Sequence, residues 1–254
     1  MPELPASVRI ALWVTSAWQA GRSLEEAVDS ALPDVDAVGP GVATVDLWRD
    51  LGESTLLVAL PSSGDPTSLP RCGPDALAAA LEAEECVVAP GLGALLVPSW
   101  STFGAPGATG ADAGTRLDWT AYDCAPVPTH RVEALDPRET VRLLTGRVLE
   151  VTDQLDALGG QPFDASSARE ALPRPGRWAL PDDVSPQALR AITFAATVGN
   201  AAAAGLDGPQ DALVGSTLQR RLDLLRDLRR VAERALVDAT NAGAAALAQP
   251  RTSR

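Results

Sequence analysis

The sequence predicts an α+β fold, with a small antiparallel or mixed sheet and helices in the N-terminal half and a three-helix antiparallel bundle in the C-terminal half. Short apolar or alternating runs bounded by Gly and Pro occur between residues 54 and 123, as expected for strands. Long segments with apolar residues spaced by three and four follow residue 135, as expected for helices. Because strands and helices do not alternate as repeated βαβ units, the pattern favours α+β over a parallel α/β fold.

The N-terminal half begins with two predicted helices. In the first, apolar residues recur on one face, and Gly21 supplies a C-terminal stop. Ser23 and Glu26 then form a capping box that opens a second helix, which ends near Pro33. Two shorter helices are predicted further along, at residues 45–51 and 74–84.

Four strands are predicted in the same half. Residues 54–60 are rich in β-forming residues and predict a buried strand. Residues 86–89 and 94–97 are apolar and are joined by the turn residues 90–93, which is typical of a hairpin. Residues 116–123 alternate between apolar and polar side chains, which predicts a half-buried antiparallel strand.

The C-terminal half is predicted to be helical. Asp136 and Pro137 occupy the N-cap and first positions of a helix that ends at Gly159-Gly160. Its apolar residues follow a heptad spacing for only about two and a half repeats, which favours an intramolecular bundle and leaves a homodimer seam as the alternative. Ser185 caps a second helix, whose face of small residues suits the centre of a bundle. Ser216 and Gln219 form a capping box for the last helix, expected to end near Asn241.

Charge divides the chain at the same place. Residues 1–134 carry 18 acidic residues against 6 arginines, so all of the net charge of −12 lies there, and residues 135–254 are balanced. We therefore predict an acidic α+β lobe at 1–134 and a helical lobe at 135–254, with one continuous domain as the alternative. An acidic surface repels phosphates, so we expect no binding to nucleic acid or to an anionic membrane. The charge serves solubility or attracts a basic protein partner.

Composition predicts a cytoplasmic protein of a bacterium with a GC-rich genome. Every basic residue is Arg, which follows from codon bias. The three cysteines have no C-x-x-C spacing, so we expect buried thiols in a reducing compartment and neither a disulfide framework nor a zinc site. The first residues lack the basic and then apolar order of a signal peptide, and no apolar stretch is long enough to span a membrane, so we expect neither export nor membrane insertion.

Arg221 is the sharpest candidate site residue, because it lies near the centre of the apolar face of the last predicted helix. A guanidinium directed at a core needs a partner, either a carboxylate from the acidic half or the carboxylate or phosphate of a ligand. The alternative is that this end of the helix projects into solvent.

Other candidates are weaker. His130 is the single histidine, which excludes metal sites built on several histidines and makes it the one residue that could act as a histidine base. Trp100 and Trp119 flank a glycine-rich loop and could line a small apolar pocket, although core packing explains them as well. Gly91-Leu92-Gly93 follows an apolar run as in a dinucleotide-binding loop, but a second strand follows it, so no nucleotide site is predicted. We predict no metal and no cofactor.

The segment Asp46–Gly52, the hairpin around Gly91 and the segment Trp119–Asp123 together resemble a widespread family of hypothetical proteins of high-GC bacteria. The resemblance spans most of the chain and implies no activity, so no functional residue is carried over. The sequence favours a non-catalytic interaction or regulatory protein. Two alternatives are an enzyme that uses carboxylates and Arg, with Mg²⁺, in a cleft between the lobes, and a module that binds a small ligand near the two tryptophans.

Overall fold

The computed structural model describes residues 4–62, 64–104, 113–158, 180–207 and 215–249. Within these ranges the protein has an α+β fold with a five-stranded mixed sheet and eight α-helices. The strands are β1 Ala37–Val38, β2 Leu57–Ala59, β3 Cys86–Ala89, β4 Ala94–Phe103 and β5 Gly114–Asp123. The helices are α1 Ala6–Ala20, α2 Leu24–Ala31, α3 Thr44–Asp50, α4 Pro74–Ala83, α5 Thr129–Glu133, α6 Pro137–Leu158, α7 Pro186–Asp207 and α8 Gly215–Ala248, and a 3₁₀ turn spans Pro40–Ala43.

The described residues fall into two compact units. The sheet unit contains residues 5–134, 180–185 and 240–249, and the helical unit contains residues 135–158, 186–207 and 215–239. In the sheet unit the strands lie in the order β1-β5-β4-β3-β2. The pairing of β1 with β5 is parallel and the other three pairings are antiparallel, which makes the sheet mixed.

Both faces of the central strands are covered. On one face, Leu57, Cys86 and Leu95 pack in a cluster with Ala76 and Ala80 of α4. On the other face, the alternate residues Val58, Val87 and Leu96 are also buried, and α1 packs against β2 and β3. Strands that are buried on both faces are predicted to be continuously apolar, which explains the unbroken apolar runs of β2 and β3.

The free edge of the sheet at β2 is closed by side chains. Asn241 of α8 accepts a hydrogen bond from the backbone N–H of Val58 at 2.7 Å and donates one to the carbonyl of the same residue at 3.1 Å. Thr15 of α1 accepts a bond from the N–H of Leu56 at 3.0 Å. The Asn241 amide therefore does what a neighbouring strand would do, and it satisfies an edge that could otherwise pair with another chain.

The start of α1 depends on a buried carboxylate. Its N-cap is Pro5, which offers no side-chain acceptor, and the N–H of Ser7 instead donates to Glu85 at 2.7 Å. A carboxylate at this position also interacts favourably with the positive end of the helix dipole. Glu85 immediately precedes β3, so this contact joins the first helix to the centre of the sheet.

The predicted caps at Gly21, Ser23 and Asp136 are confirmed. Gly21 ends α1 in the left-handed conformation with φ of 67°, and Ser23 accepts a bond from the N–H of Glu26. Asp136 accepts bonds from the backbone of α6 through its side chain and its carbonyl. The predicted stop at Gly159-Gly160, most of the linker at 162–183 and the tail beyond residue 249 lie outside the described residues.

The secondary structure differs from the prediction at several places, and helix α5 and the 3₁₀ turn were not predicted. The short parallel strand β1 was not predicted, because two residues give no periodic signal. Strand β4 continues past Pro98 to Phe103, where the prediction stopped at residue 97. Helix α8 runs to Ala248, well past Asn241, and Gln219 donates to Asp223 instead of closing a capping box with Ser216.

We predict that Asn241→Ala lowers the free energy of unfolding by about 2 to 3 kcal/mol, because it leaves the buried N–H and carbonyl of Val58 without partners. Asn200→Ala is the matched control: it makes the same change in a helix, at an amide whose nitrogen has no hydrogen-bond partner among the described residues. The control should change stability by less than about 1 kcal/mol. Urea denaturation of both variants measures the difference, and equal effects would contradict the role given to Asn241.

Candidate functional site in the groove beside α2

The sheet unit contains a groove with a volume of about 470 Å³. One wall is α2, and the other is formed by β1, the 3₁₀ turn and the first residues of α3. The floor is apolar, and the rim carries carboxylates. The apolar lining residues are Leu24, Val28, Leu32, Val35, Val38, Pro40, Val42 and Ala43. A concave apolar site with a few polar groups of this size is typical of ligand-binding surfaces.

Close backbone contacts hold the second wall in place. The N–H groups of Asp36 and Gly39 donate to the carbonyls of Thr115 and Leu117 on β5. At Gly41, a Cβ atom would lie 1.9 Å from the carbonyl oxygen of Trp119, so this position requires glycine. The 3₁₀ turn therefore lies directly on β5.

The rim of the groove is acidic. Its lining includes Glu25, Asp29, Asp36 and Asp46 and contains no basic residue. Asp36 is used structurally, since it accepts bonds from the N–H and hydroxyl of Thr115. Glu25 and Asp29 lie one turn apart on α2 and are exposed. The groove therefore presents negative charge next to apolar surface.

Among the residues that the structure describes, no group of three or more His, Cys, Asp and Glu side chains is arranged to bind a metal. The chemistry that the groove offers is ion pairing and apolar contact.

Arg221 lies on α8 and is half-buried. Within the described part of the chain it makes no hydrogen bond or ion pair, whereas its neighbours Arg226 and Arg229 pair with acids one turn away on the same helix. The structure therefore gives Arg221 no carboxylate partner, and its role as a ligand contact stays a prediction.

Trp100 and Trp119 lie on adjacent strands and on the same face of the sheet. Trp100 pairs with Leu117 in the register, and Trp119 pairs with Pro98. The two side chains differ in exposure, with Trp100 50% exposed and Trp119 5% exposed. Trp100 lowers the pKa of the buried Glu85, an effect smaller than the raising effect of burial.

His130 lies on the short helix α5 and is exposed. The three cysteines are free, and burial raises the pKa of each thiol, to about 11 at Cys124. Because the thiolate is the reactive form, a raised pKa makes these side chains poor nucleophiles at neutral pH. The structure places His130 on the surface and the cysteines against the sheet, without assembling a nucleophile and a base.

The turn between β3 and β4 already has an anionic partner. The N–H groups of Gly91 and Leu92 donate to one oxygen of Glu53, at 2.8 and 3.3 Å. The carboxylate of Glu53 therefore occupies the position that a phosphate would take in a dinucleotide-binding loop.

Two family models match the chain. One is described as Rv1486c-like protein, N-terminal domain, and matches residues 7–132. The other is described as Rv1486c-like protein, C-terminal domain, and matches residues 138–237. The chain belongs to the Rv1486c-like family. Searches of curated proteins and of solved structures found no match.

The Rv1486c-like family assignment places the groove in the N-terminal domain and Arg221 in the C-terminal domain. The resemblance to a family of uncharacterised proteins is confirmed at this level. None of the helices in the described ranges is long and apolar enough to cross a membrane.

Sequence reasoning did not identify the groove. Its lining comes from four separate elements, which meet only in the folded chain. The available signal was the amphipathic pattern of α2, whose first turn carries Glu25 and Glu26 opposite the buried Ala27 and Val28.

Burial raises the pKa of Glu85 above its usual value near 4.5, against the smaller opposing effects of Ser7, Trp100 and Arg9. The folded protein thus binds this proton more tightly than the unfolded chain, and this group makes stability fall as pH rises through the interval above 4.5. We predict that Glu85→Gln becomes progressively more stable relative to the wild type as the pH rises above about 4.5. Urea denaturation across this range measures the difference.

Glu139→Gln is the control for this experiment. Arg142 holds the pKa of the Glu139 carboxyl below its usual value, so the wild-type contribution of this residue is lost as pH falls. The stability of Glu139→Gln relative to the wild type should therefore increase as the pH falls below about 4.5, which is the opposite sign to the effect expected for Glu85→Gln. A difference for Glu85→Gln that is flat or declines with rising pH would contradict the effect of burial.

Proposed function

We propose that the protein is a non-catalytic interaction protein whose acidic groove beside α2 binds a basic, partly apolar segment of a protein partner. The juxtaposition of the apolar floor with the carboxylates of Glu25, Asp29 and Asp46 supports this proposal. An Arg or Lys side chain matches both features, because its aliphatic stem packs on apolar surface while its charged group meets a carboxylate.

The charge of the whole N-terminal half favours the same partner. With 18 acidic residues against 6 arginines in residues 1–134, the surface attracts cations and repels phosphates. Electrostatic complementarity of this kind increases association rates and selects against acidic partners. Nucleic acid and anionic membranes are therefore poor candidates.

The proposed organisation has two domains, 1–134 and 135–254, the second a three-helix antiparallel bundle from which residues 180–185 and 240–249 extend into the sheet unit. The limits of the two family models, at residues 132 and 138, support the boundary. The antiparallel direction of α6 and α8 is supported by contacts that run in opposite senses along the two helices, namely Arg147 with Asp227 and Gln154 with Arg220. Helix α7 packs on α6. We retain the homodimer as a proposal for this half, with the half-buried Arg221 as the candidate contact to an anionic group.

Fluorescence anisotropy with a labelled peptide of alternating Arg and Leu residues tests the groove. We predict that a variant combining Glu25→Gln, Asp29→Asn and Asp46→Asn binds this peptide at least about fivefold more weakly, because three favourable charge contacts are lost. A control variant removes the same charge elsewhere in the sheet unit, through Asp75→Asn, Glu82→Gln and Glu133→Gln. The control should weaken binding by less than about twofold.

A steric variant separates groove binding from net charge. Ala43→Trp fills the groove without changing charge and should also weaken binding about fivefold or more. Ala78→Trp makes the same substitution at an exposed position of α4 and should have little effect. If both charge variants weaken binding equally and Ala43→Trp leaves it unchanged, the groove is not the binding site.

A further inference from the structure

Two cysteines that are far apart in sequence lie directly opposite each other in the structure. Cys72 and Cys124 form an isolated antiparallel bridge, in which a residue two positions before α4 pairs with the residue directly after β5. Both are free thiols, and both are partly exposed. The pair lies within the sheet unit.

The hydrogen bonds around the bridge define its type. The N–H of Ala125 donates to the carbonyl of Arg71 at 2.7 Å, beside the pair, while the N–H of Cys124 points away and donates to Gly93 at 2.8 Å. Cys72 and Cys124 therefore face each other at a non-hydrogen-bonded position, where Cα atoms lie about 4.5 Å apart and side chains are closest. Disulfides span Cα separations of roughly 4.4 to 6.8 Å, so this position accommodates one without backbone movement.

The third cysteine is close but differently placed. Cys86 lies on β3 within the apolar cluster that Cys72 and Cys124 cover, and its side chain is fully buried. A soluble oxidant can reach the two outer thiols and not this one. Its register partner is Ala59 on β2, so neither outer cysteine opposes it in the sheet.

We propose that Cys72 and Cys124 form a reversible disulfide in response to a low-molecular-weight disulfide such as oxidised glutathione. One thiol loses its proton and its sulfur attacks a sulfur of the reagent, which breaks the reagent's S–S bond and releases one thiol. The second cysteine then loses its proton and attacks the protein sulfur of the mixed disulfide, which releases the second reagent thiol. Two protons and two electrons pass from the protein to the reagent, and one S–S bond is exchanged for another.

The disulfide would fix the segment that leads into α4 against the end of β5. Its loop encloses about fifty residues, and closing a loop of this length restricts the unfolded chain considerably. We expect the oxidised protein to have a Tm higher by on the order of 5 °C, and the increase to disappear on reduction. Burial raises the pKa of both thiols, so oxidation is carried out in mildly alkaline buffer.

The test uses the full chain, reduced, freed of reductant and incubated with oxidised glutathione. We expect the wild type to lose two hydrogens in intact mass and its thiol count in denaturant to fall from three to one. Cleavage after the glutamates at positions 82, 84 and 85 separates Cys72 from Cys86, and cleavage after Arg116 separates Cys86 from Cys124. Peptide mapping after both digestions should therefore show Cys72 joined to Cys124 in the wild type itself.

Three variants serve as controls. Cys86→Ala should still lose two hydrogens, whereas Cys72→Ser and Cys124→Ser should keep their mass or gain one glutathione, with no rise in Tm. The proposal is overturned if wild-type mapping joins Cys86 to either partner, if Cys72 and Cys124 each retain glutathione without joining, or if three thiols remain. It rests on no part of the groove proposal, so the two succeed or fail separately.

Discussion

The sheet depends on an amide from the far end of the chain. Asn241 bonds to both backbone groups of Val58, although 183 residues separate them. Strand β2 is three residues long and lies at the edge of the sheet, so its stability comes from what covers it and not from its own pairing. Without Asn241 and Thr15, a fully buried strand would carry unsatisfied N–H groups. The last turns of α8 are therefore part of the sheet unit in a physical sense, because they complete its hydrogen bonding.

Carboxylates in the acidic half divide into those that build the fold and those that face solvent. Glu85 caps α1, Glu53 binds the β3–β4 turn, and Asp34 pairs with the buried Arg9. Backbone N–H donors hold Glu85 and Glu53, which partly offsets the cost of burying them, and Asp34 does the same for the buried guanidinium of Arg9. The rim acids Glu25, Asp29 and Asp46 differ because they are exposed beside apolar surface. A basic partner would therefore gain the most binding free energy at the groove, because charge and apolar contacts combine there, and not from the net charge alone.

Local signals in the sequence determine much of the secondary structure. The stop at Gly21, the cap at Ser23 and the alternation of β5 were predicted, since each depends on neighbouring residues. Strand β4 was cut short at Pro98, because proline lacks the N–H that a paired strand needs. In the structure, β3 pairs only with residues 94–96 of β4. Pro98 therefore lies beyond that pairing, where β4 has β5 on one side and no strand partner on the other side in the described sheet. The missing N–H of a proline costs little stability at such a position. The groove, the Asn241 contact and the Cys72–Cys124 bridge have no local signal, because each joins segments that meet only through the tertiary fold.

The cysteine pair illustrates why spacing in sequence is a weak guide to thiol chemistry. An odd number of widely spaced cysteines predicts unpaired thiols, and the structure does contain free ones. Yet strand pairing aligns two of them as closely as a disulfide requires, while the third stays in the core. Their raised pKa values argue against rapid nucleophilic chemistry and suit a slow exchange that depends on the redox potential of the surroundings. The Cys72–Cys124 bridge lies at the C-terminal end of β5, next to the apolar cluster that includes Ala76 and Ala80 of α4. The groove lies at β1, which pairs with the N-terminal part of β5. The pairing register of β5 therefore separates the two features.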